Sequence, residues 1–157
     1  MSVRDVVGTG FDGVYVPRGV DSVGTGVMHE LTQQDIDWRR MRIDLVLQGL
    51  GPSNWLASSA SNTEFSKSNF VDLSVGEQRM VLLMRALVGE PRLILLDEVW
   101  SGMEEAMVLA ARKYLREGGV SEQQAVVVIT HWEHEVPWTK EDGLKQFILE
   151  KGVGSTR

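Results

Sequence analysis

Residues 71–98 read VDLSVGEQRMVLLMRALVGEPRLILLDE, and the order of parts in this stretch decides the fold class. Ser74-Val75-Gly76-Glu77 has the Ser-x-x-Glu spacing of a helix start. Behind it, Met80, Leu83, Met84, Leu87 and Val88 recur at i, i+3, i+4, i+7 and i+8, which predicts one buried face. Gly89 and Pro91 stop the helix. Leu93 to Leu96 then run without polar alternation, the pattern of a strand covered on both faces in a parallel sheet. The run ends on Asp97 and Glu98. Open α/β sheets bind ligands at the carboxyl ends of their strands, so this order points to a nucleotide site.

Working toward the C-terminus, a second helix is expected from about Met103 to Glu117. Glu104 and Glu105 lie in its first turn, Arg112, Lys113 and Arg116 near its end, and Gly118-Gly119 close it, a charge order that suits the helix dipole. Ser101 and Glu104 have the spacing of another capping box. Ala125-Val126-Val127-Val128-Ile129 is a β-branched strand leading into Thr130 and His131. Strand, helix and strand in this span make a βαβ unit with an expected right-handed crossover. A last strand is expected at 146–150, and 152–157 reads as a frayed tail.

Working toward the N-terminus, residues 53–69 hold six serines and three asparagines and read as a loop. Before them, Thr32 caps a helix that carries Ile36, Ile43, Leu47 and Leu50 on one face and stops at Gly51-Pro52. The first thirty residues are rich in glycine, and the run from Gly8 to Gly13 reads as a flexible loop. That run, Gly8-Thr9-Gly10-Phe11-Asp12-Gly13, matches G-x-G-x-x-G. A dinucleotide cradle needs a strand before that pattern and a helix opening inside it, and neither is expected here.

The chain has 157 residues, room for one domain with a modest core. Its net charge of −6 gives no support to direct nucleic-acid binding through phosphate neutralisation. It has no cysteine, which excludes disulfides and thiolate metal sites and is compatible with a cytoplasmic protein. No apolar run approaches the roughly 20 residues of a membrane span, so any membrane contact is expected through a partner.

The candidate chemistry is phosphoryl transfer to water. An Asp at a strand end can hold a Mg²⁺ shell, a neighbouring carboxylate can orient and deprotonate water, and a His can contact a γ-phosphate. Each residue also has a plainer explanation. Asp97 and Glu98 precede a helix whose dipole favours acids, His131 could be a polar loop residue, and Ser74–Glu77 is fully accounted for as a capping box. A capped helix start also offers free N–H groups to a phosphate, so the two readings are compatible. His131-Trp132-Glu133-His134-Glu135 lacks the i, i+4 spacing of a helical zinc site, and Trp132 and Trp138 read as packing or surface aromatics.

Together, Leu73-Ser74-Val75-Gly76-Glu77-Gln78, the run Leu93 to Glu98, Ser101-Gly102-Met103-Glu104 and Thr130-His131 resemble four motifs of the ATP-binding cassette ATPases. They are similar, in order and spacing, to the signature, the Walker B strand with its glutamate, the D-loop and the switch histidine. The resemblance covers about residues 71–150. It implies an α/β fold, an incomplete P-loop NTPase-like domain with a parallel sheet and flanking helices. Residues 1–70 would form a helical subdomain and loop, and 71–157 the C-terminal half of the ATPase core. The wording DEVWSGM is similar to the soluble molybdate-transport and photorepair-type cassettes.

The resemblance also implies the roles. Two cassettes, as a homo- or hetero-pair, sandwich ATP head to tail. Ser74, Gly76 and Glu77 would meet ATP held by the other cassette, Ser101 would belong to the D-loop, and Asp97 would serve Mg²⁺. Glu98 would polarise the attacking water and His131 would sense the γ-phosphate, converting ATP and water to ADP and phosphate. Val75 replaces the usual second glycine and Glu104 the usual D-loop aspartate. No G-x-x-x-x-G-K-[ST] occurs, and none of the five lysines follows a glycine. The expectation is therefore a truncated cassette lacking Walker A, whose activity alone is doubtful. The alternative is a non-catalytic interaction module or gene fragment that pairs with an intact cassette.

Overall fold

The computed structural model describes residues 1–11, 31–56, 61–150 and 153–156. Its described elements are helices α1 (Val3–Gly8), α2 (Gln33–Leu50), α3 (Asn62–Lys67), α4 (Val75–Val88) and α5 (Glu105–Tyr114). The strands are β1 (Leu93–Asp97), β2 (Ala125–Ile129), β3 (Phe147–Glu150) and β4 (Val153–Thr156). The result is a mixed α/β fold with a small parallel sheet: β1 pairs with β2 in parallel, from Leu93 beside Ala125 to Asp97 beside Ile129.

α4 is the hub. Its expected stripe of Met80, Leu83, Met84, Leu87 and Val88 is buried throughout. α1 and α2 pack on it from the N-terminal side and contribute Val3, Val7, Val46, Leu47 and Leu50 to the core. Sheet and α5 complete the core with Ile94, Leu96, Met107 and Ala111. α2 begins at the expected Thr32 cap, where the Thr32 hydroxyl accepts from the Asp35 N–H and the Asp35 carboxylate reaches back to the Thr32 N–H. At its far end α4 is closed by α2: Arg42 donates to the Val88 carbonyl at 3.3 Å and pairs with Glu90 at 3.2 Å. The reversal itself falls on Glu90, whose φ is 49°, rather than on Gly89.

Several expectations are corrected. β1 is covered on one face only: Ile94 and Leu96 point inward, while Leu93 is 55% and Leu95 65% exposed. Val127 and Ile129 of β2 extend the same open face. The apolar run gave no sign of this because both faces carry the same residue types. Residues 53–69 are not a continuous loop: Pro52–Asn54 forms a 3₁₀ turn, and α3 places Phe65 edge-on against Trp55. α1 occupies part of the glycine-rich start, tied to the end of α3 by the Val3 N–H donating to the Ser68 carbonyl at 2.9 Å. A helix, not a strand, therefore precedes the glycine run, which extends to Asp12 and Gly13 outside the described residues.

α5 starts later than expected, and Glu104 caps it without a side-chain hydrogen bond, so the Ser101–Glu104 box does not form. It unwinds through a wider turn over Leu115–Gly119, closed at Gly118 with φ 120°. The expected strand at 146–150 appears as β3, but 153–156 is strand β4, antiparallel to it, rather than a tail.

Candidate functional site

The site forms where the start of α4 meets the carboxyl ends of β1 and β2. At the helix start the capping box is complete. The Ser74 hydroxyl accepts from the Glu77 N–H, and Glu77 Oε2 accepts from both the Ser74 N–H and its hydroxyl, each at 2.8 Å. Gly76 is buried there against the turn after β1. A Cβ at Gly76 would lie 2.9 Å from the Gly102 carbonyl oxygen and 3.1 Å from the Met107 sulfur. Val75 stays largely exposed, with Cγ1 toward Gly102, whose φ of 79° a side chain would strain.

At the strand ends, Asp97 is exposed and Glu98 is held in an unusual backbone state. Its φ of 46° lies in the left-handed region, where a residue with a Cβ is strained, and such strain gathers at functional turns. The Glu98 N–H donates to the Ile129 carbonyl at 3.0 Å, which extends the β1–β2 ladder past its last paired residues. Its carbonyl accepts from the Ser101 N–H at 3.1 Å and from Arg79 Nη1 at 3.4 Å. Glu98 Oε1 is covered and has no hydrogen-bond partner, although the side chain as a whole is 42% exposed, and it lies 3.8 Å from the exposed His131 Nε2. A buried carboxylate oxygen left in this state is available to accept from a water or ligand.

Parallel pairing explains why Glu98 and His131 meet. Asp97 sits beside Ile129, so the residues that follow each strand emerge at one sheet end. The loop behind His131 is held by Thr130, whose hydroxyl donates to Glu135 Oε2 and accepts from the Trp132 N–H. Trp132 is exposed and Trp138 packs against the core. Of the sequence candidates, Asp97, Glu98 and His131 share this end of the sheet. Ser74, Gly76 and Glu77 form the helix start beside it, and Ser101 lies exposed in the intervening turn.

Two residues were missed. Arg79, one turn beyond Gly76, reads as an ordinary solvated charge because it lies off the apolar stripe. Glu135 stands in the sequence only as an acid of the His131–Glu135 run, and its tie to Thr130 is a contact that the spacing does not announce. Between α4 and β1 lies an open cleft of about 200 Å³ bordered by Arg79, Leu82, Leu95 and Asp97.

Among the described residues no group of three or more His, Asp or Glu side chains could cage a metal alone. A lone exposed Asp97 fits Mg²⁺ nonetheless, because that ion takes one or two carboxylates and fills its shell with water and phosphate oxygens. No helix among the described residues is long and apolar enough to cross a membrane.

The family model for ABC transporters matches residues 18–101, more than half of the chain. An ABC transporter ATP-binding protein of Schizosaccharomyces pombe is 46% identical over 65 residues, 41% of this chain and 13% of that protein. The ABC transporter ATP-binding protein ModF of Escherichia coli is 30% identical over 108 residues, covering 62% of this chain and 21% of its own length. The zinc uptake system ATP-binding protein ZurA of Listeria monocytogenes is 28% identical over 63% of this chain and 32% of its own length. The chain thus spans less than a third of each of these relatives. A solved structure of a metal-chelate type ABC transporter in an inward-facing conformation matches at TM-score 0.55 and 20% identity, over 100% of this chain and 66% of that one, a likeness of fold. With the family match extending through the signature-like helix, the strand that ends at Asp97 and the turn that holds Glu98, the chain belongs to the ABC transporter ATP-binding family.

Proposed function

We propose that this chain works in a head-to-tail pair of cassettes that binds and hydrolyses ATP, with residues 1–70 as helical subdomain and loop and 71–157 as the C-terminal half of the ATPase core. The observation that supports the reading most is the meeting of Glu98 and His131 at one sheet end, with a buried carboxylate oxygen free to accept a proton. Glu98 orients the attacking water and takes its proton, and His131 touches the γ-phosphate. Asp97 holds Mg²⁺, which supplies charge neutralisation on the phosphates when bound. Ser74, Gly76 and Glu77 offer the N-terminus of α4 to ATP carried by the partner cassette, where free N–H groups and the helix dipole favour phosphate. Ser101, exposed in the turn between them, faces the partner. We place the chain beside the soluble molybdate-transport and photorepair-type cassettes on its DEVWSGM wording.

The test is a mixing experiment with a cassette that carries a P-loop. Added chain is expected to stimulate ATP turnover, and Ser74→Arg is expected to remove the stimulation. No association between the two would overturn the reading. A second reading is a non-catalytic module that pairs with an intact cassette. Association without any change of turnover would select it.

A further inference from the structure

We propose that Arg79 is a positioning residue, which ties the phosphate-facing start of α4 to the turn carrying Glu98 so that the two half-sites of one chain move together. The inference rests on the reading of Ser74, Gly76 and Glu98 given above. Three contacts join the two segments. Arg79 Nη1 donates to the Glu98 carbonyl at 3.4 Å, a long bond to the one residue of the turn that is held at φ 46°. Gly76 packs so closely on the Gly102 carbonyl that a Cβ would lie 2.9 Å from it. Val75 Cγ1 and Arg79 Nε stand 3.2 and 4.0 Å from where a Gly102 Cβ would be.

The carbonyl that Arg79 holds also accepts the Ser101 N–H, so one oxygen fixes both ends of the turn that aims the Glu98 side chain. A left-handed Glu is unfavourable by itself and persists only where its surroundings over-determine it. Arg79 is the single charged donor on that carbonyl among the described contacts, and it sits on the helix whose first turn would meet the partner's nucleotide. Movement of the helix start on engaging phosphate is therefore transmitted to the backbone of Glu98 without passing through the core.

The test is residue-resolved amide hydrogen exchange in the full chain, alone and with an ATP-loaded cassette that carries a P-loop. In the chain alone, Arg79→Met is expected to speed exchange at Ser101 about tenfold, with Val46 and Leu47 of α2 unchanged. Arg79→Lys, which keeps the charge and one donor, is expected to fall between. Unchanged exchange at Ser101 in Arg79→Met overturns the proposal. If Arg79→Met does not fold, Arg79→Gln takes its place with the same expectation and the same refuting result.

With the loaded cassette, exchange at Ser101 is expected to slow about fivefold in the wild type and not in Arg79→Met. Slowing that survives Arg79→Met overturns the coupling. If the wild type and Ser74→Arg both fail to respond, the signature reading fails, and the comparison in the chain alone still decides the tie.

Discussion

Leu95 and Leu96 are chemically identical neighbours on β1, and their substitution separates a sheet with one covered face from a sheet with two. Leu96 is 3% exposed and Leu95 65% exposed. Full burial of a leucine side chain is worth about 1.5–3 kcal/mol, so Leu95, with about a third of its surface covered, contributes about 0.5–1 kcal/mol. Leu96→Ala also leaves a cavity and should cost about 2–5 kcal/mol. The lower strand preference of alanine acts on both positions alike and largely cancels in the comparison. The expected difference is therefore about 1–4 kcal/mol, and about 2–3 kcal/mol at the middle of the two ranges. Urea unfolding followed by tryptophan fluorescence reads it, because Trp55 and Trp100 are buried and report on the core. At an m-value of about 1–2 kcal/mol/M, the two midpoints should stand apart by about 1–2 M. Equal costs within about 0.5 kcal/mol would refute the one-faced sheet, because Leu95 would then be covered in solution. Repeating the measurement at two protein concentrations identifies self-association as the cover, since only then does the wild-type midpoint rise with concentration.

Ser74→Ala removes the α4 cap and should destabilise by about 0.5–2 kcal/mol in a thermal melt, whatever the role of Ser74 toward nucleotide; no loss would mean the capping box does not form in solution. Glu98→Gly relieves the left-handed backbone and removes a buried carboxylate oxygen, so stability should rise by about 1 kcal/mol, and a fall would show that the turn is not strained. Arg42→Met removes the ion pair to Glu90 and the side-chain donor to the Val88 carbonyl, an expected loss of about 1–2 kcal/mol that an undisturbed melting temperature would contradict. Bonds from Ser2 to Asp5, its hydroxyl first, and from Thr139 to Asp142, its N–H first, hold both carboxyls below their ordinary values. Stability from groups lowered in this way is present above the ordinary carboxylate range and lost as pH falls through the depressed values. Asp5→Asn with Asp142→Asn should therefore flatten the acid side of the stability profile, and an unchanged slope would count against both caps.

What was legible in the sequence is what short-range periodicity and end signals encode. The α4 stripe and the Thr32 start of α2 were readable because a 3.6-residue period and a Thr-x-x-Asp spacing are local properties. α3 was not readable: six residues give too few turns for a period, and its anchor, Phe65 against Trp55, is a contact ten residues apart. β4 is built from Val153, Gly154, Ser155 and Thr156, of which only two favour strands, so its pairing with β3 depends on the partner. The open face of β1 was hidden for a different reason, since Leu93 and Leu95 say that a side chain is apolar and not that anything lies above it. At the site, the ends of β1 and β2 could be placed because parallel register carries strand ends to one edge. Arg79 could not, because its value lies in a carbonyl nineteen residues away.

That separation is closed by matched lengths. α4 has 14 residues, about 21 Å at 1.5 Å per residue. After the reversal at Glu90 the chain returns along β1, whose five residues span about 17 Å. Outward and return paths nearly cancel, so the carboxyl end of β1 arrives beside the first turn of α4. There Gly76 removes the side chain that would hold the two segments apart. A chain with one fewer helical turn between Arg79 and Gly89 would shift this register by about 5.4 Å and leave Arg79 opposite the strand instead of the turn. The charge that ties the Glu98 carbonyl and the glycine that admits it are therefore set by one length, that of α4.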